Sequence, residues 1–249
     1  MSEPLTLEEF KTMRIAGKAA SAFFRKIRRR IGAGISTKDI ERSFDEHLRG
    51  YSGMSPAFKG FMGYPASVCA SVNEEIIHGI PSEKKILSNG DLVSIDLGIK
   101  FKGLFVDTAR SFFVGRPDRD TKRLALVTQK ALHDGIKTAR AGNRLGDIGA
   151  AVQKRAEKNG YSVIRKFVGH GIGRELHQSP EVPNFGRRDT GPELKAGMAL
   201  AIEPMVAAGT HEITMRDDHW TAVTRDGRLA AHFEHTIAIT AKGTWIITQ

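Results

Sequence analysis

The sequence has few of the features that mark secreted or membrane proteins. Its 249 residues include a single cysteine, Cys69, which excludes an intrachain disulfide and is typical of a reducing compartment. It has no run of about 18 uninterrupted apolar residues, so we expect no transmembrane helix. Glu3, Glu8 and Glu9 interrupt the N-terminal segment, which lacks the continuous apolar core of a secretory signal. We therefore expect a cytoplasmic, monomeric protein with no membrane contact.

The charge balance is strongly positive, whereas the rest of the composition is that of an ordinary folded protein. Hydrophobic residues make up 40% and charged residues 27%, which argues against a disordered chain. Lysine and arginine number 38 against 28 aspartates and glutamates, giving a net charge of +10. Such a surface attracts polyanions such as nucleic acid or the ribosome, but it also serves solubility alone. Composition leaves both interpretations open.

Four segments carry apolar residues at helical spacing. Thr6 and Glu9 form a capping-box pattern at the start of the first of these segments. The predicted helices cover residues 7–31, 37–50, 116–140 and 145–159.

Short apolar segments typical of strands lie between and after the helices, separated by Gly, Asn or Pro. They cover residues 68–72, 92–99, 104–114, 198–202, 213–215 and 229–239, with a hairpin connection at 100–103. Helices followed by strands thus occur twice, which predicts an α+β fold with helices packed over a sheet. No composition break or Pro/Ser-rich linker separates the halves, so we predict one domain over residues 1–249.

Acidic side chains occur within these apolar strands. Asp96 and Asp107 lie on the two strands of the predicted hairpin, which can bring their carboxylates side by side. Adjacent carboxylates repel each other unless a proton or a cation lies between them, and a metal ion is the natural partner. Glu203 and Glu234 occur in two later strand contexts. Each acid alone fits a salt bridge or an exposed position, but the set of four predicts a metal site.

Histidines occur in glycine-containing segments of the same chain. His78 precedes Gly-Ile-Pro, His170 lies in a Gly-His-Gly-Ile-Gly sequence, and His177 follows shortly after. The glycine-rich sequence lacks the Lys-Ser/Thr of a phosphate-binding loop, and residues 178–192 are predicted as a loop rather than the helix of a dinucleotide fingerprint. Imidazole among carboxylates instead suits a transition metal.

Taken in order, these motifs resemble one known family. They are His78-Gly-Ile-Pro, Asp96 with Asp107 eleven residues later, Gly-His170-Gly-Ile-Gly, His177, Ile-Glu203-Pro and Glu234-His-Thr. The chain strongly resembles the type I methionine aminopeptidases in their short bacterial form, which are M24-like peptidases, over essentially its whole length. Each motif alone is weak, whereas the ordered set with matching spacings is highly specific.

The resemblance implies a pita-bread fold, in which two similar α/β halves surround a curved antiparallel sheet. It also implies a metal-dependent peptidase with two divalent ions, of Co, Mn, Fe or Zn. The hydroxide that these ions activate removes the initiator methionine from nascent chains with a small second residue. By resemblance, Asp96 binds one ion, Asp107 and Glu234 bridge both, and His170 and Glu203 hold the other.

The same resemblance assigns the remaining site residues. His78 and His177 contact substrate rather than metal, His177 donates to the developing oxyanion, and Glu203 acts as general base and then acid. Cys69 becomes a pocket wall rather than a nucleophile. The residues assigned to the methionine side-chain pocket are Phe61, Tyr64, Cys69, Leu176 and Trp220. A plain core role is the alternative for Phe61 and Leu176.

Three positions depart from the usual pattern of the family. It more often has Phe-His-Glu where this chain has Leu176-His177-Gln178, and tryptophan is common at the position of Phe233. Leucine is smaller than phenylalanine and loses an aromatic–sulfur contact, which predicts a wider pocket and a lower affinity for methionine. None of these changes removes a catalytic group.

Three alternatives share parts of the pattern. A prolidase or aminopeptidase P generally carries an extra N-terminal domain, for which 249 residues leave no room. A non-catalytic pita-bread protein that binds RNA or ribosomes would have lost metal ligands, and all of them are present. A metal-dependent phosphatase or nuclease suits the positive charge but lacks an obvious Arg or Lys clamp beside the motifs.

The positive surface also fits the main interpretation. Nascent N-termini emerge at the ribosome, so we expect the basic segments 25–30, 84–85 and 137–144 to help dock the protein near the exit. Release of counterions would make that docking weaken steeply with salt.

Overall fold

The computed structural model describes residues 3–249, which form four α-helices and fifteen short strands. The helices are α1 (Leu7–Ile27), α2 (Thr37–Arg49), α3 (Arg119–Thr138) and α4 (Leu145–Glu157), with one 3₁₀ turn at Phe61–Gly63. The strands are β1 (Met54–Pro56), β2 (Cys69–Val72), β3 (Glu75–Ile77), β4 (Leu92–Phe101), β5 (Leu104–Phe113), β6 (Ser162–Val163), β7 (Gly169–Gly171), β8 (Gln178–Val182), β9 (Ala199–Ile202), β10 (Met205–Ala207), β11 (Ile213–Met215), β12 (Ala222–Thr224), β13 (Ala230–His232), β14 (His235–Thr240) and β15 (Gly243–Ile246).

The predicted capping box begins α1. Glu9 N donates to Thr6 Oγ1 (3.2 Å), and Thr6 N donates to the Glu9 carboxylate (2.8 Å). The helix ends at Ile27, earlier than the predicted residue 31, because the arginines that follow form a turn leading into two glycines, which are poor helix formers. At α3, the cap is Asp118, whose carboxylate accepts from Thr121 N, so the helix begins after the predicted position 116.

Two antiparallel sheets carry most of the strands. In the first sheet, β4 pairs with β5 along its whole length. Strand β2 pairs with residues 93–96 of β4, and β1 pairs with residues 99–101. The second sheet has the order β15-β14-β9-β7-β8. Two smaller sheets have the orders β13-β10-β6 and β11-β12-β3. All pairings are antiparallel among the described residues, as the short connections allow.

The helices pack over the sheets in two layers, as predicted for an α+β fold. Phe23 of α1 and Phe44 of α2 share one hydrophobic core with Ile95 of β4. Leu132 of α3 belongs to a second core that contains Ile202 of β9. Each helix pair thereby buries its apolar face against one half of the strands.

The structure corrects two strand predictions. Residues 229–239 do not form one strand: β13 ends at His232 and β14 begins at His235. The break arises because β13 pairs with β10 whereas β14 pairs with β9. The predicted loop 178–192 begins with strand β8, which pairs with β7 at the edge of its sheet. The sequence of β8, Gln-Ser-Pro-Glu-Val, lacks apolar alternation and contains a proline, so it carries no local strand signal.

Several strands were too short to predict, and one hairpin is tighter than expected. The missed strands β1, β3, β6, β7, β10, β12 and β15 span only a few residues each. Strand β4 continues to Phe101, so Lys102 and Gly103 alone form the turn that was predicted at 100–103. Within residues 3–249, no helix is long and apolar enough to cross a membrane.

Candidate metal centre and active site

Asp96 and Asp107 lie on strands β4 and β5, whereas Glu203 and Glu234 lie in the short breaks that follow β9 and β13. These four acids and His170 converge on one place in the fold. Their ligand atoms form three overlapping groups, and within each group all atoms lie within 4.8 Å of one another. The groups are Asp96, Asp107 and Glu234; His170, Glu203 and Glu234; and Asp107, His170 and His177. The structure thus brings together all five residues that the sequence analysis assigned to metal.

The register of the β4–β5 hairpin places the first two acids side by side. Asp96 lies opposite Ala109 and Asp107 opposite Gly98, so the two acids are diagonal neighbours on one face. Both side chains are buried. Gly98, which lies opposite Asp107, leaves room for the ring of Phe58. A Cβ added at Gly98 would lie 2.8 Å from that ring.

Two threonines join this hairpin to the segment that carries Glu234. Asp107 N donates to Thr236 Oγ1 (2.9 Å), which in turn donates to Asp107 O (2.8 Å). Thr108 Oγ1 donates to Glu234 O (2.9 Å). The backbones under Asp107 and Glu234 are therefore fixed relative to each other, although they are more than a hundred residues apart in sequence.

His170 is oriented by its own backbone neighbourhood. Its Nδ1 lies 2.9 Å from Gly171 O, a contact that assigns the proton to Nδ1 and leaves the Nε2 lone pair free for a metal. That Nε2 lies 3.5 Å from Glu203 Oε1. Burial, with a smaller contribution from His177, lowers the pKa of His170 to about 3, so the ring is neutral at pH 7.

The carboxylates carry more negative charge than their surroundings can neutralise. Burial raises the pKa of Asp96 to about 7. Burial also raises the pKa values of Asp107, Glu203 and Glu234, and repulsion between neighbouring carboxylates adds to the effect. Asp96 Oδ1 and Glu234 Oε1 are buried without a hydrogen-bond partner among the described residues. Orphaned, mutually repelling oxygens beside a neutral imidazole fit divalent transition-metal ions.

A cavity of about 140 Å³ opens above these ligands. The lining residues are Phe58, Phe61, Met62, Tyr64, Cys69, His78, Asp96, Asp107, His170, Leu176, His177, Glu203, Trp220 and Glu234. Every site residue that the sequence analysis assigned lies in this lining. Phe58 and Met62 were not predicted, because they lie in a segment without periodicity whose only signal was its aromatic content.

The apolar wall is built around buried side chains. Tyr64 packs edge-on against Trp220 with ring centroids 5.1 Å apart, and its hydroxyl lies 3.2 Å from Gly79 O. Burial raises the pKa of the Cys69 thiol, which disfavours a thiolate at this position. Leu176 is fully buried and belongs to the same core as Tyr64.

Two further histidines stand at the cavity. The His177 ring lies 4.2 Å from that of His170 and 5.1 Å from that of Phe61, between centroids. His78 has a φ of 59°, a left-handed conformation that a non-glycine residue seldom adopts, and its ring lies 6.5 Å from Trp220. Burial lowers the pKa values of both rings, to about 4 for His78.

Comparison with known proteins decides the family. The model of metallopeptidase family M24 matches residues 11–241. A methionine aminopeptidase of Clostridium acetobutylicum is 44% identical over 240 residues, which is 96% of either chain. Methionine aminopeptidase 1 of Bacillus subtilis is 43% identical over 244 residues, 98% of either chain. This chain belongs to the methionine aminopeptidases of family M24. It is accordingly a metal-dependent aminopeptidase.

Solved structures show the same fold. A methionine aminopeptidase of Thermotoga maritima superposes with a TM-score of 0.98 at 44% identity, over the full length of both chains. The prolidase of Pyrococcus horikoshii matches with a TM-score of 0.79 at 21% identity, which shows the fold alone, and this chain covers 63% of it. The fold of this family member is therefore the predicted pita-bread fold.

Proposed function

We propose that this M24 family member removes the N-terminal methionine from nascent polypeptides whose second residue is small, using two divalent metal ions. The observation that carries the proposal is the set of overlapping ligand groups at the floor of an apolar cavity. The names of relatives that are 43–44% identical support methionine as the residue released.

Five residues would hold the metal ions. In this proposal Asp96 would hold one ion, Asp107 and Glu234 would contribute to both, and His170 and Glu203 would hold the other. Four carboxylates would balance two divalent cations, which would relieve the repulsion that adds to burial in raising the pKa values of Asp107 and Glu234. When bound, the ions lower the pKa of a water molecule and polarise the scissile carbonyl.

The protein's own groups position the substrate and move its protons. The methionine side chain occupies the cavity, where its sulfur meets the rings of Phe61, Tyr64 and Trp220. Glu203 accepts the proton of the attacking water and passes it to the leaving amine. His177 donates a hydrogen bond to the oxyanion, and His78 contacts the scissile peptide nitrogen or the backbone of the second residue.

Crowding at the cavity supports the preference for a small second residue. The chain beyond methionine has to leave past His78 and His177, whose rings pack against Trp220 and Phe61. A bulky second side chain would have to displace one of these rings. The proposal therefore predicts cleavage before alanine but not before lysine.

The positive surface supports nascent chains at the ribosome as the substrate. Arg25 and Arg110 lie within 3.5 Å of the same Ser21 hydroxyl, and neither is within 4 Å of a described carboxylate. They line a cleft together with Arg28 and Lys122. This cleft, with residues 137–144, is the proposed RNA-facing surface.

Not every basic segment of the sequence contributes equally to that surface. Lys85 forms an ion pair with Glu75, and Lys26 and Arg30 both approach Glu46. These pairs reduce the charge available from segments 25–30 and 84–85. Ribosome binding should weaken steeply between about 50 and 200 mM salt, and binding that is flat over this range would refute docking through charge.

A peptide assay tests the proposed reaction. Met-Ala-Ser and Met-Lys-Ser are incubated with chelated enzyme and with enzyme given Mn²⁺ or Co²⁺, and free methionine is measured. We expect release from Met-Ala-Ser alone and only with metal. Release from both peptides would refute the specificity, and no release with any metal, from folded protein, would refute the proposed activity.

A further inference from the structure

A buried histidine beside the proposed metal ligands has no role in the reaction described above. His232 is 1% exposed, and neither ring nitrogen has a hydrogen-bond partner among residues 3–249. Buried polar atoms are nearly always paired, so this ring requires an explanation. His232 belongs to none of the groups of candidate metal ligands, so the geometry does not explain it as a ligand.

The carboxylate of Glu203 lies between two imidazoles. Its Oε1 is 3.5 Å from His170 Nε2, whereas its Oε2 is 4.0 Å from His232 Nε2. One oxygen is therefore directed toward the candidate metal ligands and the other toward the unpaired ring. A movement of about 1 Å would bring Oε2 and Nε2 to hydrogen-bond distance.

The backbone under His232 is anchored on two sides. His232 N donates to Ser111 Oγ (3.1 Å), and Ser111 Oγ donates to His232 O (2.9 Å). Ser94 Oγ lies 2.8 Å from Ser111 Oγ, so the β4–β5 hairpin holds this segment. On the other side, His232 pairs with Met205, two residues after Glu203. The ring is thus presented to Glu203 by rigid strands rather than by a loop.

We infer that His232 is a positioning residue: its Nε2–H donates to Glu203 Oε2 and thereby holds Oε1 toward His170. A neutral imidazole has one N–H, and the inferred hydrogen bond requires it on Nε2. The consequence is a fixed orientation for the carboxylate that is proposed both to bind metal and to carry the proton. The inference rests on the proposed function, because that proposal gives Glu203 both of these roles.

Three variants separate positioning from packing. His232→Gln can place its amide nitrogen near the position of Nε2, whereas the shorter side chain of His232→Asn reaches only the position of Nδ1. His232→Leu fills a similar space and has no donor. We expect kcat on Met-Ala-Ser to fall by roughly 10- to 100-fold in the Asn and Leu variants with KM nearly unchanged, and the Gln variant to retain most activity.

Two measurements do not depend on turnover. Calorimetric titration of the chelated protein with Mn²⁺ should show affinity reduced by roughly tenfold in the Asn and Leu variants and restored in the Gln variant. Nitrogen NMR of the wild-type protein should show the His232 proton on Nε2. If the Leu variant does not fold, the Gln and Asn pair still makes the comparison.

Each result decides for or against positioning. Equal kcat and equal Mn²⁺ affinity in the Gln and Asn variants would overturn the inference, as would a His232 proton on Nδ1. If the wild-type enzyme releases no methionine with any metal, the proposed function fails. The Mn²⁺ titration and the NMR signal would still decide the role of His232.

Discussion

Replacing Asp96 by asparagine should stabilise the metal-free protein at neutral pH, although it removes a proposed metal ligand. Asp96 is buried, and its Oδ1 has no hydrogen-bond partner in the described chain. Burial raises the pKa of this carboxyl to about 7, against 3.8 for an ordinary aspartate. Above about pH 7 the folded protein without metal therefore carries a buried charge there that water would solvate far better.

The raised pKa of Asp96 determines how the free energy of unfolding changes with pH. The folded pKa is above the unfolded one, so Asp96 favours folding most below about pH 4, and this contribution is lost as the pH rises through about 7. The difference between the two pKa values corresponds to at most about 4 kcal/mol, at about 1.4 kcal/mol per tenfold change in proton affinity. Asparagine has no charge to desolvate, so Asp96→Asn should recover about 1–4 kcal/mol of this at pH 8 and little near pH 4.

Urea denaturation of chelated protein measures the effect. Wild type, Asp96→Asn and the exposed control Asp217→Asn are compared near pH 5 and at pH 8. Adding Mn²⁺ should reverse the order at pH 8, because metal bound to the folded state stabilises the wild type more. A chelated Asp96→Asn variant no more stable than wild type at pH 8, or a gain equally large near pH 5, would refute the reasoning.

Three further substitutions test other parts of the site. Asp107→Ala should abolish methionine release and lower the metal content measured by atomic absorption, and wild-type occupancy would contradict the ligand assignment. His177→Ala should retain its metal but reduce kcat by roughly 10²–10³-fold, because one hydrogen bond to the oxyanion is lost, and an unchanged kcat would argue against that role. Gly79→Ala should destabilise the fold by about 1–3 kcal/mol in thermal unfolding, because the new Cβ would lie 2.6 Å from Ala70 O. In the matched control Gly32→Ala, the Cβ meets nothing closer than 4.0 Å, and an equal loss there would contradict the steric explanation.

The proximity of the Asp96 and Asp107 carboxylates could be predicted from the residues alone. Both acids lie on strands joined by a short turn, and a hairpin of that length has few possible registers. The turn is shorter than expected, but the two carboxylates stay on one face because side chains alternate with a period of two.

The convergence of Glu203 and Glu234 with that pair could not be derived in this way. It depends on β13 pairing with β10 and β14 with β9, and on the Thr236 contact with Asp107. These contacts join segments far apart in the chain, and no local pattern specifies them. The family resemblance supplied this part of the prediction. The roles assigned to the individual site residues stay predictions.

The residues that break ordinary rules of protein structure are concentrated around one cavity. Of the six buried side-chain atoms without a hydrogen-bond partner in the described chain, four belong to Asp96, Glu234 and His232. Of the six non-glycine residues with a positive φ in the described chain, two, Met62 and His78, line the cavity. Each feature costs stability by itself, and a folded chain retains such costs where a bound partner offsets them. Metal ions would satisfy the carboxylates, and Glu203 would satisfy Nε2 of His232. The unpaired ring is therefore best explained as part of the same site, even though no sequence motif includes it.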